Sequence, residues 1–182
     1  MRHPPGVKVL LPKGGQLNVA ITTKEIADGA GTAKVLQRLV TNFNTSYPDG
    51  AQFTVVDTNG WFSVVPKSAR AASGAVAPYT SPMDVPLSVT VKDARAGDAL
   101  RAILSAIQAK TGTKIYIGLS PFDTGLNVDG RKRVTISTQT ETGRTLVTQL
   151  MQGFSPRLSW QMLTGAPDPR YGNLTSYYLN IQ

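Results

Sequence analysis

The stretch LSVTVKDARAGDALRAILSAIQAKTGTKIYI, residues 87–117, decides how the second half of this chain folds. Leu87, Val89 and Val91 alternate with Ser88 and Thr90, the period of a strand with one buried face, and the β-branched content favours extended backbone. The period then changes. Leu100, Ile103, Leu104 and Ile107 recur at helical spacing and place four large aliphatics on one face, with Arg101, Ser105, Gln108 and Lys110 on the other. Asp98 in the first turn and Lys110 in the last complement the helix dipole, and Gly112 can take the left-handed position that ends a helix. Ile115 and Ile117 begin a short strand, so the order is β-α-β.

Similar units lie on either side. Upstream, Leu17, Val19 and Ile21 alternate as a first strand. Thr32 is placed to cap a helix whose Val35, Leu36, Leu39, Val40 and Phe43 form an apolar stripe. Runs at 53–56 and 61–65 flank Asp57-Thr58-Asn59-Gly60, a hairpin signal because Asn and Gly tolerate positive φ. Downstream, VTIST (134–138) reads as a strand. Thr142 opens a helix with Leu146, Val147, Leu150 and Met151 on one face, and Gly153 closes it. Two strands follow, around Leu158, Trp160 and Met162 and around Tyr177, Leu179 and Ile181, with a polar loop from Thr164 to Ser176 between them. Lys67 to Pro86, rich in Ala, Ser and Pro and without an apolar period, reads as a connector. The expected architecture is therefore α+β: two small mixed β-sheet lobes with about three helices. The lobe at 1–66 has the order β-α-β-β, the lobe at 87–182 has β-α-β-β-α-β-β, and residues 67–86 join them.

Composition narrows the function classes. The 182 residues are 41% hydrophobic and 16% charged, as in a globular protein. Without cysteine there is no disulfide, thiolate metal site or thiol nucleophile. No apolar run approaches the ~20 residues of a membrane-spanning helix. The patch at Val9 to Leu11 is too short for the core of an export signal, so either the protein is cytoplasmic or Met1 stands where such a signal was removed. His3 is the only histidine, which leaves a zinc or histidine-based catalytic site without its ligands. The spaced acids Asp93 with Asp98 and Asp123 with Asp129 fit helix capping and turns better than a catalytic pair. Gly14-Gly15 and Gly29 to Gly31 lack the setting of a phosphate loop. No catalytic residue, metal site or cofactor is expected.

A family resemblance rests on the residues already quoted. The strand ending near Val91, the helix DALRAILSAIQAKTG with its following KIYIG, then VTIST, TLVTQLMQG, LSWQML and YYLNI together resemble the secretin and TonB short N-terminal domain. They cover 87–182, and the chain departs from that pattern in the long loop before its last strand. The resemblance implies a non-enzymatic protein-docking module of the bacterial envelope, periplasmic or secreted, with a protein partner and no catalytic residues.

Residues for such a role are few. Strand alternation puts Trp160 in the core, and Trp61, which follows a turn, more weakly so. Tyr178, opposite in phase to Leu179, and Tyr171 in the long loop are the expected exposed rings, with Arg157 and Arg170 as basic neighbours. The alternative is nucleic-acid binding. Nineteen Lys and Arg against eleven Asp and Glu give a formal charge of +8, and the run Arg131, Lys132, Arg133 supplies the only cationic cluster.

Overall fold

The computed structural model describes residues 7–10, 16–19, 31–58, 60–70, 75–118, 132–154, 159–164 and 177–181. The chain is a small α+β protein; among the described residues it has three α-helices and several two- or three-stranded sheets. It divides into two compact units, Met1–Thr80 and Ser81–Gln182. The boundary lies inside the Ala/Ser/Pro-rich stretch, and both halves of that stretch carry secondary structure.

In the first unit, strands β1 (Val7–Leu10) and β2 (Gln16–Val19) form an antiparallel hairpin. The first of these has no counterpart in the sequence reading, which took Val9 to Leu11 as an isolated apolar patch. Helix α1 (Thr32–Ser46) follows; its N-cap is Gly31, with no side-chain cap, so the role expected of Thr32 is not the one it has. Leu36, Leu39 and Val40 are buried, and α1 packs on β3 (Phe53–Thr58), which pairs antiparallel with β4 (Trp61–Pro66). The turn between them has Gly60 at φ 83°, its N–H donating to Asp57 Oδ1 at 2.8 Å. Trp61, at the start of β4, is half-buried. Asn44 fastens the end of the helix to the sheet. Its amide donates to Phe53 O and its carbonyl accepts from Phe53 N, both at 2.9 Å, while Phe43 meets the Phe53 ring edge-on at 5.4 Å. A further hairpin, β5 (Ser68–Arg70) with β6 (Val76–Pro78), occupies part of the stretch read as a connector.

The second unit opens with a 3-10 turn at Pro82–Asp84, capped by Ser81 Oγ accepting from Met83 N at 3.2 Å, and Met83 is wholly buried. Strand β7 (Val89–Arg95), helix α2 (Ala96–Thr111), β8 (Ile115–Ile117), β9 (Arg133–Thr138), helix α3 (Gly143–Phe154), β10 (Trp160–Thr164) and β11 (Tyr177–Ile181) follow in the order read from sequence. Gly112 ends α2 in the left-handed conformation, φ 71°, with its N–H on Gln108 O. Thr142 caps α3: its hydroxyl accepts from Thr145 N at 3.2 Å. Gly153 lies inside the last turn of that helix rather than beyond it.

Pairing is where the structure departs from a β-α-β unit. The strands that flank α2 do not belong to one sheet: β7 pairs antiparallel with β9, whereas β8 pairs parallel with β11, which in turn pairs antiparallel with β10. A crossover helix normally returns the chain to the same sheet; here α2 carries it from one sheet to another. The buried faces of α2 (Leu100, Ile103, Leu104, Ile107) and α3 (Leu146, Val147, Leu150, Met151) pack together, and Leu179 and Ile181 of the central strand are buried too.

Leu104→Ala and Leu150→Ala each delete a buried branched chain and should cost about 2–5 kcal/mol in chemical denaturation. A cost below ~1 kcal/mol at either would contradict the assignment of these helix faces to the core.

Candidate functional site

The sheet β10-β11-β8 carries the most distinctive exposed surface of the second unit. Its central strand alternates cleanly: Leu179 and Ile181 point inward, Tyr178 outward. In β8 the same phase buries Ile115 and turns Tyr116 out. The parallel register sets Tyr178 opposite Tyr116, and the two rings stack with centroids 5.6 Å apart and planes 29° from parallel. They are 41% and 40% exposed. Lys114, two residues before Tyr116, holds its ammonium 4.8 Å from the centre of that ring. Such a ring pair joins apolar area to hydroxyl groups at the solvent boundary, the property that enriches tyrosine at interfaces.

Strand β8 is also an edge. Gly118 N–H donates to Leu179 O at 2.9 Å, and strand alternation then directs both backbone groups of Tyr116 at β11 and those of Ile115 and Ile117 away from it. Among the described residues, β8 has no strand on that outer side. The other sheet is blunted by comparison. Lys92 and Asp93 of β7 stand against Thr135 alone in a β-bulge, Asp93 has φ 49°, its N–H donates to Thr135 Oγ1, and both residues are exposed charges. Bulges and charges of this kind discourage strand addition.

An ion pair ties the helix beneath β10 to the 3-10 turn. Arg144 on α3, almost fully buried, grips Asp84 of the 3-10 turn through two contacts, Nε to Oδ1 at 2.6 Å and Nη2 to Oδ2 at 3.1 Å. Its guanidinium lies 5.5 Å from the centre of the Trp160 ring, and Trp160 Nε1 donates to Thr148 Oγ1, one helical turn on from Arg144, at 3.2 Å. Turn, helix and β10 are thereby joined through one planar cation and one indole. Trp160 is half-buried, packed on a helix rather than presented to solvent.

Of the residues singled out in the sequence, Tyr178 lies in this surface. Arg131, Arg157, Arg170 and Tyr171 lie outside the described residues. Lys132 donates to Gly153 O near the C-terminal end of α3 and sits 5.6 Å from the Phe154 ring, a favourable place for a cation at a helix terminus. Arg133 reaches Asp93 O at 3.4 Å across the bulge. Both described members of the basic run therefore make contacts within the fold. Asp93 and Asp98 do not converge as a pair: Asp93 is in the bulge, and Asp98 pairs with Arg101 at 3.0 Å on the exposed face of α2. Tyr116, Lys114 and the Asp84–Arg144 pair were not picked out from sequence. Tyr116 could have been, since it is out of phase with Ile115 and Ile117 as Tyr178 is with Leu179. The ion pair has no local signal, because its partners are joined only by the tertiary fold.

Among the described residues, no group of three or more His, Asp or Glu is placed to hold a metal ion, and no helix is long and apolar enough to cross a membrane. The chain matches no protein-family model, no curated protein and no solved structure.

Removing one partner of a largely buried ion pair strands the other charge. With Asp84 about one-third exposed, Asp84→Ala should cost about 2–3 kcal/mol in urea denaturation, and Asp98→Ala, in an exposed pair, less than ~1 kcal/mol. Equal losses would contradict the bracing role of Asp84.

Proposed function

We propose that this chain is a non-enzymatic protein-docking module of the bacterial envelope or secreted fraction that takes an extended partner segment along strand β8. The observation that carries this reading is the outer edge of β8, where the backbone groups of Ile115 and Ile117 face away from the sheet beside the exposed Tyr116–Tyr178 stack. An added strand gains main-chain hydrogen bonds from such an edge, and neighbouring side chains supply selectivity. The envelope assignment rests on the resemblance of residues 87–182 to the secretin and TonB short N-terminal domain, whose role is docking. The order β-α-β-β-α-β-β in the second unit accords with that pattern.

The test uses the difference between a proline that blocks the edge and one that breaks the sheet. Ile117→Pro removes an N–H directed away from β11, so the β8–β11 ladder keeps its hydrogen bonds. The variant should melt within a few degrees of the parent while losing a partner captured from envelope extract in high salt. Retention of that partner by a folded Ile117→Pro protein would overturn the reading. Recovery of nucleic acid alone, and only at low salt, would replace it with the charge-driven alternative.

A further inference from the structure

We propose that the segment accepted by β8 is acidic on one face, alternating apolar residues with Asp or Glu, and that Lys114 with Tyr116 reads the acid. This specifies the partner of the edge already described and rests on the docking reading. A strand laid against β8 in register must send alternate side chains to opposite faces of the sheet. On one face its neighbours are Ile115, buried, and Ile117, half-buried, which favour an apolar side chain. On the other they are Tyr116 and the Lys114 ammonium held above it. The cation is thus placed beside the phenol at the rim of the sheet, where an incoming carboxylate can meet the Lys114 Nζ and the Tyr116 hydroxyl together.

Among the described residues of the strands and turn that form this edge, charge is of one sign. From Gln108 to Gly118, and through the described residues of β10 and β11, the only charged side chains are Lys110 and Lys114. No described acidic residue in these segments competes for either ammonium or repels an acidic ligand. A basic segment would bring a like charge to Lys114 across adjacent strands, and like charges directly opposite one another are destabilising. The tyrosine stack adds to this position, since the Tyr116 ring that packs on Tyr178 also carries the Lys114 ammonium over it.

The experiment is an amide chemical-shift titration of the full chain with three short capped peptides that alternate valine with glutamate, glutamine or lysine. With the parent protein, shifts at Ile115 and Ile117 should saturate at a roughly three- to tenfold lower concentration of the glutamate peptide than of the lysine peptide, as exposed charge pairs allow. The glutamine peptide should fall between, and the gap should narrow as salt rises. Lys114→Glu should reverse the order, and Ile117→Pro, read at the Ile115 amide because proline has none, should abolish the response to all three. Equal response to the three peptides, unchanged by Lys114→Glu but lost in Ile117→Pro, would overturn the acidic preference and leave edge docking standing. No response at these amides to any peptide would overturn both. Displacement of the glutamate peptide by a short single-stranded oligonucleotide bound at the same amides would also overturn it, assigning the site to a polyanion without strand pairing.

Discussion

The second unit depends on the close approach of α2 and α3, and that approach is set at the first residue of α3. A Cβ placed on Gly143 would lie 2.7 Å from Ile107 Cδ1 and 3.1 Å from Ile107 Cγ1, and 3.4 Å from Met83 O. Ile107 and Met83 are wholly buried, so neither has open space to retreat into. Glycine at this position lets α3 begin against both the middle of the core and the 3-10 turn that precedes β7. One residue further on, Arg144 reaches Asp84 from the same turn. Packing and charge thus fix the same junction: the aliphatic faces supply most of the burial, and the ion pair, costly to form in a buried place, restricts how they meet. From Arg144 and Thr148 the constraint passes to Trp160, to β10, and through β11 to the exposed edge at β8.

The parts of this arrangement legible in the sequence are those governed by local periodicity. The helical recurrence of Leu100, Ile103, Leu104 and Ile107, and of Leu146, Val147, Leu150 and Met151, identified both buried faces, and Gly112 marked a helix end that does adopt positive φ. The alternation in YYLNI located Tyr178 outside and Leu179 inside. Strand partnership was not legible, because it is decided by contacts between elements distant in sequence. Reading 87–117 as β-α-β gave the right order of elements, yet β7 and β8 join different sheets, since each finds its complementary edge elsewhere. The Tyr116–Tyr178 pair exists only through that long-range parallel register. Composition carried no sign of the local contacts of Lys132 and Arg133: one reaches a carbonyl in the last turn of a helix and the other a carbonyl in a bulge, while both side chains stay exposed.

An open sheet edge is a liability as well as a site. Here the liability is limited by length, since β8 is three residues long and is followed by Gly118, whose Cα lies against the side chain of Asn180. A short edge offers few main-chain hydrogen bonds, too few to recruit strands indiscriminately, so side-chain chemistry must decide what stays. The stacked tyrosines and Lys114 stand where that decision would be made. The neighbouring sheet takes the opposite course: the bulge at Lys92 and Asp93, with a non-glycine residue at positive φ, makes β7 irregular. The two strands that flank α2 thus differ as edges: β7 is bulged and β8 is regular but short.

The central claim, that no described strand pairs with the outer side of β8, is tested most directly by residue-resolved amide hydrogen exchange on the free protein. Tyr116, whose N–H faces β11, should be protected to a degree set by opening of the sheet, whereas Ile115 and Ile117 should exchange much faster although they flank it. Protection of Ile115 and Ile117 equal to that of Tyr116 would mean that the edge is already covered, and would contradict the account of this surface as a docking site.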